Sequence, residues 1–319
     1  MIKSGILHPR EVYEMDVRVL EYFLAVAREQ TISGAAQALH MTQPPLSRQL
    51  MELEQELGKQ LFIRGKRRIT LTREGMLLRK RAEEILSLVE KTKAEVGASD
   101  KDISGDISIG GGETEGMRLI VRTARQVQRQ YPAIRFHFSS GDGYDVTDRL
   151  DRGLVDFATL IEPIDMSKYD YLRLPHPDTW GVLMRKDHPL ARLDCIRPDD
   201  LRGVPLIASR QMEQENGLAG WLGYGYEKLQ VVATGNLVNT LALAAEEGMG
   251  CVFTLDQLVD LTGTRELCFR PLEPRLKSWM YLAWKKYQVF PPAAEIFLNR
   301  LKQALQTQED KNLLDSGGV

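Results

Sequence analysis

Residues 31–72 read TISGAAQALHMTQPPLSRQLMELEQELGKQLFIRGKRRITLT. Leu46, Leu50, Leu53 and Leu57 recur at i, i+4, i+7 and i+11, which draws one apolar stripe on a helix. Thr42 stands at the N-cap, and Pro44 and Pro45 fall in the first turn, where a missing N–H costs little. Gly58 ends the helix as a left-handed cap. At about 100° per residue, Pro44, Arg48, Met51 and Gln55 point away from the leucines, with Gln43 and Ser47 flanking them. Gln pairs with adenine, Arg with guanine, and Ser or a proline ring meets a base edge or a thymine methyl. An ordinary surface helix has the same pattern, so the flanking segments decide between the two.

Upstream, Val19, Leu20, Phe23, Leu24 and Ala27 predict a helix from about Asp16 to Glu29. Ala35, Ala36 and Leu39 predict a short helix with Ser33 near its cap, and the small alanines let helices approach closely. Downstream, Leu61–Ile63 and Ile69–Leu71 are short strands around Arg64, Gly65, Lys66, Arg67 and Arg68. That is a wing whose cationic tip reaches phosphates or a narrow minor groove. Residues 42–81 hold ten Lys/Arg against four Glu, a local net of +6 in a chain of net −2. The charge is segregated beside a groove-sized helix, which favours DNA over a merely solvated face.

This segment, from Ala35 to Gly75, resembles the winged helix of LysR-type transcriptional regulators. The match rests on Ala35, Ala36, Leu39, Gln43, Pro44, Leu46, Ser47, Leu53, Glu54, Leu57, Gly58, Leu61, Phe62, Arg64, Thr72 and Gly75. It begins near Met15, which leaves residues 1–14 as an extension too polar for a signal peptide. The DNA-binding candidates are Ser33, Thr42, Gln43, Pro44, Ser47, Arg48, Arg64, Lys66, Arg67 and Arg68.

Thr72 caps a long helix that runs to about Val96. Leu78, Ala82, Ile85 and Val89, continued by Thr92 and Val96, alternate spacings of four and three. This is a dimerisation seam, or else a stripe packed on its own domain. A two-fold pair of reading heads implies a near-palindromic site. Gly97–Asp100 then break the helix as a hinge.

Residues 102 to about 305 alternate strands and helices, starting βαβαβ, which implies parallel strands with right-handed crossovers. The layout predicts two α/β lobes with the chain crossing near Leu174–Trp180 and near Leu272–Tyr281. They resemble the family's effector domain and periplasmic solute-binding proteins, on the segments ISIGGG, GLVDFATL, VLMRKDHPLA, DDLRGVPLIAS and AAEEGMGCVF. Leu255 departs from the proline often found after that strand in the family.

The expected fold class is α/β: a winged helix-turn-helix, a long linker helix and a two-lobed effector domain. The expected divisions are 1–14 (extension), 15–72 (DNA-binding), 73–101 (linker and hinge), 102–308 (effector domain) and 309–319 (tail). Lobe I takes about 102–176 and 280–308, and lobe II about 177–279.

The cleft between lobes is the default ligand site. Gly112, Thr114, Ser140, Ser209, Asn236 and Thr254 each end a strand or open a helix there, with caps and turns as the alternative roles. Together they point to a small polar effector, with a carboxylate among the candidates. The Gly110–Gly112 run offers backbone N–H groups to an anion at a helix start, although Glu113 and Glu115 oppose one. The aromatics Trp221, Tyr224 and Tyr226 belong to a lid or, more simply, to a packed surface helix.

No run reaches the roughly 18 apolar residues of a membrane helix, and Cys195, Cys251 and Cys268 are too scattered for zinc or a disulfide framework. No GxSxG elbow or metal-ligand spacing occurs, so no catalytic residue, metal or cofactor is expected. The resemblance implies a cytoplasmic regulator that binds double-stranded DNA and a small-molecule effector. It also implies a homotetramer, a dimer of dimers, that controls access of RNA polymerase. The rivals are a solute-binding protein or an enzyme that uses the cleft with an accessory DNA module.

Overall fold

The computed structural model describes residues 15–65, 68–96, 103–112, 114–162, 164–209, 220–262 and 266–316. The expected extension 1–14 and the hinge at 97–100 lie outside the described residues. The chain divides into two compact units, Met1–Gly97 and Ala98–Val319.

The first unit contains α1 (Val17–Glu29), α2 (Ile32–Ala38) and α3 (Gln43–Glu56). The strands β1 (Phe62–Arg64) and β2 (Ile69–Leu71) follow, and α4 (Arg73–Val96) closes it. Asp16 caps α1 through a 2.9 Å bond from the Arg18 N–H. Thr31, not Ser33, caps α2, accepting from Gly34 N–H at 3.0 Å. Ser33 lies one residue inside the helix and is exposed, so its hydroxyl is left for another role. Leu46, Leu50 and Leu53 are buried with Phe23, Val26, Ala35 and Leu61 in a single core. Leu57 departs from the expected stripe: at the C-cap of α3 it has turned out of the core and is 37% exposed. Gly58 follows at φ +60°, as a left-handed terminator requires.

The expected seam of α4 is largely spent at home. Ala82 is fully buried in the unit's own core, and Leu78 and Ile85 pack against it. Val89, further along, is half-buried. The apolar side chains that α4 leaves exposed are Met76, Leu77, Leu88 and Val96. The same four-three spacing that suits a partner helix also suits α1 of the same module, against which α4 packs.

The second unit has two sheets. The first holds β3 (Gly105–Gly111), β4 (Ile134–Ser140), β5 (Phe157–Ile161), β6 (Tyr169–Arg173) and β13 (Met280–Lys285), in the order β4-β3-β5-β13-β6. Helices α5 (Met117–Gln130) and α8 (Pro292–Ser316) supply its main core with Ile107, Ile120, Phe157 and Phe297. Helix α6 (Gly143–Asp151) closes a smaller core around Val146, Leu150 and Leu160.

The second sheet runs β11-β7-β10-β8-β9, with β12 also on β7. Its strands are β7 (Asp178–Arg185), β8 (Pro205–Ser209), β9 (Gln230–Gly235), β10 (Cys251–Leu255), β11 (Leu267–Pro271) and β12 (Lys277–Ser278). Helix α7 (Val238–Glu246) packs on one face through Leu241, Ala242 and Ala245.

The chain passes between sheets after β6 and again between β12 and β13, at the two places read from the sequence. The sheets are mixed rather than wholly parallel. β3 pairs β4 and β5 in parallel, but β13 enters from the other lobe and pairs β5 and β6 antiparallel. A strand that returns from elsewhere is not bound by the crossover rule that orients a βαβ unit.

Candidate functional site

Two separate sites emerge, one in each unit. In the first, α3 presents Gln43, Pro44, Arg48, Met51 and Gln55 to solvent, while Ser47 is half-buried beside them. Thr42 holds the N-cap in extended backbone but makes no side-chain capping bond, which leaves its exposed hydroxyl uncommitted to the helix. The Arg48 side chain is 78% exposed and lies on Glu52, with Nε 2.8 Å from the carboxylate. Gln49 holds the other oxygen of Glu52 at 2.9 Å. The pairing raises the Arg48 pKa, through the Glu52 hydrogen bond first and its charge second. The guanidinium therefore stays fully charged on the outward face.

The wing is built from its roots. Glu54 Oε1 accepts from the backbone N–H of Leu61 at 2.7 Å and of Phe62 at 3.1 Å. The Gln30 carbonyl, at the left-handed end of α1, accepts from Ile69 N–H at 2.8 Å. Thus β1 is tied to α3 and β2 to α1. Gly65 and Arg68 close the tip, N–H to O, at 3.0 Å. Arg64 and Arg68 are exposed, whereas Lys66 and Arg67 lie outside the described residues. Glu54 and Gln30 as anchors were not foreseen. Their only trace in the sequence is an acid pointing sideways off the leucine stripe and a polar residue just past a helix end.

In the second unit, a cavity of ≈ 130 Å³ opens between the two sheets. Gly112 and Ser140 reach it from the first sheet, and Ser209, Asn236 and Thr254 from the second. Five of the six effector candidates are therefore brought together. Thr114 is not among them. It is buried, its hydroxyl lies 2.9 Å from Met280 Sδ and accepts from Gly116 N–H at 3.1 Å. It supports the crossing between lobes instead.

The apolar wall, unforeseen in detail, is Ile161, Trp180, Leu237, Leu241, Phe253, Leu255 and Leu258. Trp180 and Phe253 pack with ring centroids 5.3 Å apart. Their positions on β7 and β10 were legible as strand, but the alternation did not say which face meets the other lobe. Leu255 fills the place where a proline was expected and is buried against the cavity. None of the described lining residues is Lys, Arg or His.

The glycine run plays a different part from the expected one. A Cβ on Gly111 would collide with Thr159 of the neighbouring strand, so this glycine serves close packing of β3 on β5. Helix α5 starts only at Met117, well beyond the run. The helix ends at the cavity are those of α6 and α7. The first is capped by its own Asp142, which accepts from Asp145 N–H at 3.1 Å. The second has no side-chain cap, so its positive end faces the cavity beside Asn236.

The aromatic segment is packed. Trp221 donates to the Pro274 carbonyl at 2.6 Å and Tyr224 to that of Pro198 at 2.7 Å, and Tyr226 rests on the core. Cys195, Cys251 and Cys268 are free thiols. Among the described residues no acidic, His or Cys cluster fits a metal ion, and no helix is long and apolar enough to cross a membrane.

Comparison with known proteins matches a family domain within each unit. Residues 17–76 match the family described as bacterial regulatory helix-turn-helix protein, lysR family, and residues 100–306 match the LysR substrate binding domain. The chain is similar to the transcriptional regulator BsdA of Bacillus subtilis, at 35% identity over 200 residues, covering 61% of this chain and 67% of BsdA. It is also similar to the hydrogen peroxide-inducible genes activator of Escherichia coli O6:H1, at 29% identity, covering 60% of this chain and 63% of that protein. Among solved structures, full-length CbnR in complex with its target DNA shares the fold at TM-score 0.67 and 19% identity, covering 91% of this chain and 99% of CbnR.

Proposed function

The chain belongs to the LysR family of bacterial helix-turn-helix regulators, and from that premise we propose how its residues divide the work of reading DNA and sensing a metabolite. The protein is a DNA-binding transcriptional regulator with an effector-binding domain. Gln43, Pro44, Ser47 and Arg48 enter the major groove at the N-terminal end of α3, with Ser33 and Thr42 at its border. Arg64, Lys66, Arg67 and Arg68 of the wing hold phosphates or the adjoining minor groove. The observation that carries this reading is the exposed outer face of α3, its Arg48 charged and solvent-facing, beside a wing anchored at both roots.

The effector occupies the cavity between the sheets. A single six-membered ring fits an engineered cavity of about 150 Å³, so ≈ 130 Å³ suits a compound of roughly that size. The uncapped start of α7, with Ser209, Asn236 and Thr254, receives a carboxylate or another acceptor. With no cation in the described lining, a single negative charge is the most this end neutralises. Binding shifts the balance between two arrangements of the lobes, so the effector must prefer one DNA-bound form.

The assembly is a homo-oligomer, in the dimer-of-dimers form, acting on near-palindromic promoter sites in the cytoplasm and on access of RNA polymerase. The apolar residues that α4 leaves exposed, Leu77 and Leu88 foremost, join the half-buried Leu78, Ile85 and Val89 in the partner surface. We read the chain as a regulator rather than an enzyme, because the family models it matches are those of DNA-binding regulators.

Burial pushes the Cys251 thiol up to about 11 and lowers the pKa of the neighbouring His188, so no thiolate–imidazolium pair forms at 3.6 Å. Genomic fragments retained by the purified protein test the whole reading. Enrichment of symmetric promoter sites is the expected result, and loss of enrichment with Arg48→Ala ties it to α3. Retention of random duplex only, or of none, refutes it.

A further inference from the structure

Asp178 opens β7 directly after the chain first passes between the lobes, and it pairs in register with Ser278, just before the chain passes back. The residue is 6% exposed, and its Oδ2 has no hydrogen-bond partner. Thr114, from the loop before α5, bonds the carboxyl and also touches Met280 on the returning strand.

The charged groups that face Asp178 come from both lobes and are both acidic. Glu115 comes from the loop of the first lobe, where it pairs with Arg118. Asp256 follows β10 in the second lobe, where its Oδ1 accepts from Thr179 N–H at 3.2 Å. Among the described residues no cation contributes to its environment. Burial first, then Asp256 and Glu115, push the Asp178 carboxyl up to about 6, against the opposing hydrogen bond from Thr114. A buried carboxylate without a counter-ion is costly, so the packed crossing favours the neutral acid. Water entering the crossing would favour the anion.

We propose that the Asp178 carboxyl is a proton latch at the crossing of the lobes: neutral, it keeps the two connecting strands packed, and ionised, it loosens them. The latch goes beyond effector recognition and does not depend on it. It makes the lobe arrangement respond to pH around 6.

Two tryptophans report on the crossing. Trp180 Nε1 donates to Ser278 Oγ at 2.7 Å, and Trp279 lies under the Arg173 guanidinium, 4.3 Å from its ring centroid. Acrylamide quenching of the full chain is measured from pH 5 to pH 8, without DNA or effector. The wild type is expected to become more quenchable along a curve centred near 6, while Asp178→Asn stays flat at the low value. Asp256→Asn removes a repelling neighbour and is expected to move the midpoint to lower pH; it also serves if Asp178→Asn does not fold. A flat wild-type curve, an unchanged curve in Asp178→Asn, or an unmoved midpoint in Asp256→Asn overturns the proposal. None of these outcomes bears on whether the cavity binds an effector.

Discussion

Glu54 Oε1 lies 2.7 Å from the backbone nitrogen of Leu61, so one carboxylate of the reading helix holds the root of the wing. The same oxygen takes the next N–H, from Phe62, which satisfies two donors at the start of a strand too short to satisfy them itself. Hydrogen bonds to a charged acceptor contribute about 1.5–3 kcal/mol. Glu54→Ala is therefore expected to lower stability by roughly 2 kcal/mol. It should also weaken binding to all duplexes while leaving base preference unchanged. Denaturant unfolding and gel shifts on a randomised site pool measure both, and a change in preferred sequence would count against a purely positioning role.

Arg48 and Glu52 make a second such pair, 2.8 Å apart and exposed. Arg48→Ala is expected to cost about 1–3 kcal/mol at particular base pairs and to relax preference there. Glu52→Ala frees the guanidinium and should broaden the sequences accepted. Unchanged preference in both variants would remove Arg48 from the base-reading set.

Arg64 and Arg68 flank the wing tip. If each neutralises one phosphate, replacing either with Ala reduces the slope of log affinity against log salt by about 0.9. Titrations across a range of salt concentrations read this directly. A slope equal to the wild type's would place that arginine off the backbone.

Gly75 lies in the first turn of α4, where a Cβ would collide with the Leu61 carbonyl. Gly75→Ala is expected to destabilise the first unit by about 1–3 kcal/mol, as overpacking of a tight contact does. A melting temperature equal to the wild type's would show that the wing root yields freely.

The Asp178 carboxyl has a folded-state pKa of about 6, above its ordinary value of 3.8. The proton-bound form thus contributes stability that is fully present below pH 3.8 and is lost as pH rises through about 6. At about 1.4 kcal/mol per unit, the loss by neutral pH is roughly 3 kcal/mol. Comparing denaturation of the wild type and Asp178→Asn at several pH values isolates it, and parallel pH curves for the two would contradict it.

The winged module was legible almost to the residue because its signals are local: a leucine stripe, a proline-marked helix start, a glycine stop, a hairpin of charge. Where the reading slipped, competing partners explain it. Thr31 and Ser33 both fit a cap, and only the backbone of Gly34 chooses. Ala82 and its neighbours suit either a second copy or α1, and within one chain Ala82 packs in the first unit's own core. In the second unit most strands and both crossings could be read, but β6, β11 and β12 could not: β12 has two residues, and β6 (YDYLR) and β11 (LCFRP) mix charged residues or proline with the apolar ones. Four of the cavity's polar residues, Ser140, Ser209, Asn236 and Thr254, and with them Gly112, were found from their places at strand ends. Its apolar wall was not, because strands buried on both faces read as continuous hydrophobic runs.

Helix α4 is fixed to its module along Leu78, Ala82 and Ile85, while its far end, from Leu88 to Val96, carries apolar side chains outward. Such a rod has a phase as well as a length. Inserting one residue beyond Leu88 would turn everything attached there by about 100° and advance it by about 1.5 Å relative to the anchored half. The count of residues in that stretch therefore sets which side of the anchored half the exposed Val96 faces.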